Sequence, residues 1–184
     1  MTVSIRTSFF SLGLVMTGLG LGSLPLAAGE AETAAEHAAV EKALAPVAAQ
    51  FVAEQPGKEP MLTAMKAYLE ANPQIYGIAY APPPPPEGEP VPPSLYVYRH
   101  EGKLDTRLLK LPEYNYPADE WYAKPKQEQR PIWTHPYFDK GGGDIWMQTY
   151  SVPLYLDGDK ARFWGILTSD LPVPPPPGKS ADGS

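Results

Sequence analysis

"IWMQTYSVPLYLDGDKARFWGILTSDL", from Ile145 to Leu171, decides how this chain is read. Two runs rich in β-branched and aromatic residues, Ile145–Leu156 and Ala161–Leu171, flank the pair Asp157-Gly158. Such runs favour strands, and Asp-Gly accepts the positive φ that a tight reversal needs. The stretch predicts two neighbouring antiparallel strands joined at Asp157-Gly158.

Working outward, three shorter strand signals lie upstream: "QIYGIAYA" (Gln74–Ala81), "SLYVYRHEGKL" (Ser94–Leu104) and "RLLKL" (Arg107–Leu111), the last two around a Glu-Gly turn. The first is separated from the second by "APPPPPEGEPVPP", a polyproline connection that cannot join a sheet ladder. Further upstream the period changes to that of helices. In "AETAAEHAAVEKALAPVAAQFVAEQ" the residues Val40, Leu44, Val47 and Phe51 form one apolar stripe, with Pro46 expected to kink or split the helix. In "MLTAMKAYLEANP" the residues Leu62, Met65 and Leu69 share a face, and Asn72-Pro73 stops the helix.

Helices followed by sequence-adjacent strands give an α+β class: a long N-terminal helix packed on a central antiparallel sheet. The segment from Pro112 to Gly143 has no clean period and reads as a long structured loop with a short helical turn. Loops of that length usually cover something.

The chain has 184 residues, no cysteine and a formal net charge of −6. That charge is ill suited to nucleic acid or an anionic membrane surface. Disulfide and thiol chemistry are excluded. At the N-terminus, Arg6 precedes an apolar run from Phe9 to Leu21 and small residues at Ala27, Ala28 and Gly29. That order is a secretory signal peptide, with an uncleaved anchor as the alternative. The expected organisation is a signal peptide over 1–29, one domain over 30–171, and a disordered Pro-rich tail over 172–184.

These elements, together with "WY" at Trp121-Tyr122, "W..PY.D" from Trp133 to Asp139, the Gly turn, "YSVPLY" and "FWGILTSDL", resemble the Cache fold. This is the extracellular PAS-like sensor domain of bacterial receptor kinases, phosphatases and chemoreceptors. The resemblance covers about Ala31 to Leu171, a single module in size. It implies a ligand between the sheet and a loop layer, with Trp121, Tyr122, Trp133, Tyr137 and Asp139 in that layer. It puts Tyr150 on the strand behind and Asp170 at the end of the last strand. Amino-acid-binding members carry an arginine two residues before the WY pair for the ligand carboxylate; here that position is Asp119. Asp170 stands where such members hold the ligand amine. The resemblance thus implies an amine-bearing ligand rather than an α-amino acid.

The residues themselves weigh the same way. Four aromatics in a Pro-broken loop suit an apolar pocket with a few placed polar groups, although core packing is the ordinary role of any one of them. A carboxylate beside aromatic faces suits an ammonium. Asp139 equally suits turn capping before Gly141-Gly142-Gly143, a triplet without the Lys-Ser/Thr of a phosphate loop. His37, His100 and His135 lack metal-ligand spacing, and Asp139 with Asp144 offers few oxygens for calcium. No nucleophile motif stands out.

The sequence therefore predicts an exported, periplasmic or secreted, non-enzymatic sensor domain. It binds a small organic molecule, needs no cofactor or metal, and signals through a separate membrane protein. Its oligomeric state is open. The rival readings are a structural or interaction protein whose pocket is filled by its own side chains, and a periplasmic hydrolase using Asp139 and Asp170. Arg99 and Arg130 are the fallback contacts should the ligand be anionic.

Overall fold

The computed structural model describes residues 24–86, 89–110 and 112–183. Most of the expected signal segment, 1–23, lies outside the described residues.

Helix α1 (Leu24–Glu54) is unbroken and contains Pro46. Pro46 is exposed, while Leu44 and Ala48 on either side of it are buried. An internal proline costs roughly 3 kcal/mol of helix stability. Here the apolar stripe of Val40, Leu44 and Phe51, all fully buried, holds the helix to the sheet across that defect. Val47 of the same stripe is half-buried against this core. The second helix, α2 (Lys58–Ala71), buries Leu62, Met65 and Leu69 as its spacing predicts.

The strands are β1 (Gly77–Ala81), β2 (Ser94–His100), β3 (Lys103–Leu109), β4 (Ile132–Trp133), β5 (Tyr137–Phe138), β6 (Trp146–Tyr155) and β7 (Phe163–Pro172). They form one sheet in the order β3-β2-β1-β7-β6-β4, with β5 also on β6. Every pairing is antiparallel. The predicted hairpin is present: β6 and β7 pair from Met147↔Pro172 to Tyr155↔Phe163. Asp157 and Gly158 both take positive φ, 54° and 71°. Glu101 and Gly102 do the same in the β2–β3 turn.

Pro153 sits inside β6. Thr149 turns its backbone outward to Thr134 of the β4 segment. The two-residue period puts the nitrogen of Pro153 on that same outer edge, beyond the last β4 pair at Ser151. A residue without an N–H is tolerated there.

The sheet is buried on both faces. On one, α1 and α2 cover Ile78, Tyr80, Leu95, Val97 and Leu167. On the other, the long connection after β3 covers Ala79, Ala81, Tyr96, Tyr98 and Ile166. That connection is more regular than its sequence suggests. It holds a 3-10 turn (Tyr116–Ala118), helix α3 (Glu120–Glu128) and the short strands β4 and β5. Tyr116 donates its hydroxyl to Pro82 O and Pro92 O, and Tyr122 to Pro82 O, so both feet of the polyproline loop are tied to this layer. Past β7, the Pro-rich segment makes a contact of its own: Trp146 Nε1 donates to Ser180 O at 2.8 Å.

Candidate ligand site

Between the sheet and the loop layer lies a cleft of about 340 Å³. Glu113, Tyr114, Asp119, Glu120, Trp121, Thr134, Tyr137, Asp139 and Lys140 are among its lining residues. Beneath it is a constricted inner chamber of about 10 Å³, lined by Ala79, Tyr96, Leu109, Tyr114, Trp121, Tyr137, Asp139, Thr168 and Asp170. Tyr114, Trp121, Tyr137 and Asp139 border both spaces. Ala79 and Thr168 keep the floor low, and the aromatic rings form the walls.

Two aspartates face the chamber, held in different ways. Both oxygens of Asp139 are taken: Tyr114 Oη donates to Oδ1 at 2.6 Å and the Gly143 N–H to Oδ2 at 2.7 Å. The Asp139 carbonyl also accepts from Gly142 N and Asp144 N. Asp139 is thus both turn cap and pocket wall. Asp170 is 4% exposed, and Thr149 Oγ1 donates to its Oδ1 at 2.9 Å. Since Thr149 gives its proton to Asp170, the Tyr137 hydroxyl, 2.8 Å from Thr149 Oγ1, donates to Thr149. The sequence of donors therefore ends on Asp170.

The electrostatics follow from burial, with no cation acting on Asp170 or Asp119. Burial, then the neighbouring Asp139, pushes the Asp170 carboxyl up to about 7, against the hydrogen bond from Thr149 and the lowering influence of the Tyr96 hydroxyl, which lies close by but outside hydrogen-bonding geometry. Burial, then Asp139, pushes Asp119 up to about 6. Burial also raises Asp139, against the Tyr114 and Gly143 donors. Three carboxyls raised by burial, two of them raised further by Asp139, make a site that favours an arriving positive charge. Among the described residues no group of acidic or histidine side chains could hold a metal ion.

The Gly turn is pinned rather than free to close. Arg107 Nη1 donates to Gly141 O and Gly142 O, and Tyr76 Oη to Gly143 O. A Cβ at Gly142 would overlap the Asp139 carboxylate.

Of the seven residues singled out from sequence, Trp121, Tyr137, Asp139 and Asp170 come together at this site. Tyr122 lies in the same layer but points away, packed on Tyr116 and Phe163. Trp133 and Tyr150 do not reach the site. They lie on the helix face, packed against each other and the core under α1 and α2. Strand alternation explains the difference: Thr134 faces the cleft, so its neighbour Trp133 faces the helices. Arg99 and Arg130 are also remote. Arg99 donates to Leu69 O, Asn72 O and Ile75 O, and Arg130 pairs with Glu128 at the surface. Sequence reasoning missed Tyr96 and Tyr114. For Tyr96 the signal was the alternation Leu95-Tyr96-Val97-Tyr98, which puts both tyrosines on the face opposite the helices.

A helix-backed antiparallel sheet with a cleft under its loop layer is the architecture of a PAS-like sensor module. Residues 61–174 match the family of methyl-accepting chemotaxis protein-like proteins, first PDC sensor domain, and the chain belongs to that family. The family is one of sensor domains rather than catalysts, as the Cache resemblance implies. No protein of curated function matches the chain in sequence. Among solved structures, one similar fold is the extracellular domain of a protein described as a histidine kinase, soHK1S-Z6. It has 24% identity and a TM-score of 0.64, over 79% of this chain and 56% of that one. The ligand-binding domain of the Campylobacter jejuni chemoreceptor Tlp3, in complex with 4-methylisoleucine, has 16% identity and a TM-score of 0.56, over 79% and 53%. The ligand-binding domain of Mlp24 with asparagine has 16% identity and a TM-score of 0.55, over 80% and 55%. The chain spans about half the length of these structures. Among the described residues no helix is long and apolar enough to cross a membrane.

Proposed function

We propose that this chain is the ligand-binding module of an exported, non-enzymatic sensor, and that its ligand is a small organic cation carrying an ammonium group. The observation that carries the reading is Asp170, a buried carboxylate without a cationic partner, at the base of an aromatic-walled cleft. A buried unpaired carboxylate is costly, and an ammonium removes that cost while gaining aromatic contact. The related Tlp3 and Mlp24 domains hold amino acids, which carry such a group. This chain has Asp119, not arginine, at the edge of the cleft, so a ligand carboxylate has no comparable partner there. Asp119, Glu113 and Glu120 on the cleft rim add to the preference for positive charge, with Lys140 the opposing cation.

Signalling in this reading is a population shift. A ligand that binds one arrangement of loop layer and sheet better than another biases α1, which carries the change to a membrane partner. The Arg6 segment at the N-terminus supports export to the periplasm or medium. N-terminal sequencing of the exported protein is expected to begin near Gly29 or Glu30; recovery of intact Met1 in the cytosol refutes export.

The ligand reading is tested by calorimetry with primary amines, α-amino acids and short carboxylates. Primary amines are expected to bind, and Asp170→Asn to weaken them roughly ten- to a hundredfold, the worth of one charge-assisted hydrogen bond. Binding of carboxylates alone, or undiminished amine binding by Asp170→Asn, overturns it.

A further inference from the structure

The hydroxyl of Tyr96 is buried and has no hydrogen-bond partner among the described residues. Tyr96 is 2% exposed and lines the inner chamber. Buried hydroxyls nearly always find a partner, so an orphan in a chamber wall is one that a ligand can satisfy. Its position is fixed from two sides. The ring stacks on Tyr98, with centroids 5.1 Å apart and planes 3° apart. Tyr98 is in turn held by Arg107, whose Nη2 donates to the Tyr98 hydroxyl at 3.1 Å. On the other side the hydroxyl lies against Gly77, where any Cβ would overlap it. The ring is thus held between Tyr98 and the bare backbone at Gly77.

The acceptors around the chamber are already partly spent. Asp139 uses both oxygens on Tyr114 and Gly143. Thr168 Oγ1 accepts from Ala79 N. Asp170 Oδ1 accepts from Thr149. The Tyr114 and Tyr137 hydroxyls already donate to Asp139 and Thr149 and keep only lone pairs of engaged groups, so the wholly unengaged atoms are the second oxygen of Asp170 and, close by, the Tyr96 hydroxyl. A primary ammonium brings several N–H donors; a quaternary ammonium brings none. The chamber volume of about 10 Å³ is also the size of one water-sized group, which an –NH₃⁺ matches and a trimethylammonium exceeds.

We propose that Tyr96 is a specificity-determining residue: its hydroxyl accepts an N–H of a primary ammonium that Asp170 neutralises, so the inner chamber selects primary amines over their N-methylated analogues. The proposal rests on the reading of the cleft as a cation site and goes beyond it by naming the group that reads the ammonium's substitution.

The test is calorimetry with propylamine and with its N,N,N-trimethyl analogue on wild type, Tyr96→Phe and Asp170→Asn, together with thermal unfolding of the ligand-free proteins. Wild type is expected to bind propylamine at least tenfold more tightly than the trimethyl analogue, a margin one hydrogen bond and a steric misfit supply together. Tyr96→Phe is expected to lose most of that margin by weakening propylamine while keeping a melting temperature equal to or above that of wild type. A hydroxyl with only a structural role predicts the opposite pattern, a lower melting temperature and unchanged selectivity. If Tyr96→Phe keeps the wild-type preference while Asp170→Asn weakens amine binding tenfold or more, Tyr96 is not the reader although the cation site stands. If neither amine binds wild type, both readings fall.

Discussion

Trp133 lies flat on His37, with ring centroids 3.8 Å apart and planes 12° apart, and its indole Nε1 donates to Glu41 at 2.8 Å. His37 and Glu41 belong to α1, one helical turn apart on the same face. The next residue, Thr134, lines the cleft and bonds Thr149, which in turn holds Asp170. Strand β4 and the residue after it therefore touch the long helix with Trp133 and the cleft with Thr134.

Trp133→Phe keeps a ring over His37 but removes the bond to Glu41. The expected cost is about 1 kcal/mol, because the bond is charge-assisted yet exposed. Hydrogen exchange should quicken in α1 around residues 37–41. Propylamine affinity should change by less than about twofold, since Trp133 lies on the face opposite the cleft. A large loss of affinity in this variant places Trp133 in the site after all.

What was legible in the sequence follows from the range of the forces involved. The β6–β7 hairpin was readable because Asp157-Gly158 and the flanking apolar runs are local signals. So was the α1 stripe, whose period is written in consecutive turns. The interior of Pro112–Gly143 was not. Strand β4 has only two residues, and they are strand because β6 offers its edge, a tertiary cause without a local signature. The misplacement of Trp133 and Tyr150 has the same origin. A pocket needs to know which face each residue takes, and period-two alternation assigns faces only once a strand's existence is known. Asp170 was legible because the strand signal around it was strong.

Gly142→Ala puts a Cβ into the Asp139 carboxylate. That carboxylate has no easy retreat, being tied to Tyr114 and Gly143. The expected loss is roughly 1–3 kcal/mol, the usual cost of overpacking a fixed site. Urea denaturation measures it. An alanine variant as stable as wild type shows that Asp139 is free to swing, contrary to its double anchoring.

Tyr116 and Tyr122 share one acceptor, Pro82 O, and Tyr116 also reaches Pro92 O. Tyr122→Phe alone should cost little, because Pro82 O keeps Tyr116. Tyr116→Phe should cost about 1 kcal/mol, since Pro92 O loses its tyrosine donor. The double variant should cost more than the sum, with a coupling of about 0.5 kcal/mol or more. Strict additivity in the double-mutant cycle shows that the two hydroxyls do not act together in anchoring the polyproline loop.

The strongest pH dependence should come from Asp170. Burial and Asp139 raise its carboxyl from the ordinary 3.8 to about 7 in the folded protein. The folded state then holds this proton more tightly than the unfolded chain. The stability it contributes is complete below the unfolded value and is lost as pH rises through the folded one. Asp119, raised to about 6, acts in the same direction but is only partly buried and counts for less. The ligand-free domain should therefore lose stability between about pH 4 and pH 7 from this source, and Asp170→Asn should flatten that slope. It should also raise stability at about pH 8, by up to about 4 kcal/mol if the whole ionisation cost is removed. Ligand binding runs the other way. An amine stays protonated across this range and pairs with the ionised carboxylate, so binding below about pH 7 must expel a proton. Propylamine affinity should then rise up to about tenfold per pH unit below that point and level off above it. Calorimetry in two buffers of different ionisation enthalpy counts the proton directly: close to one released at about pH 6, close to none at about pH 8.5. Affinity that is flat across this interval, with no proton released at the lower pH, means that Asp170 is already ionised in the empty domain.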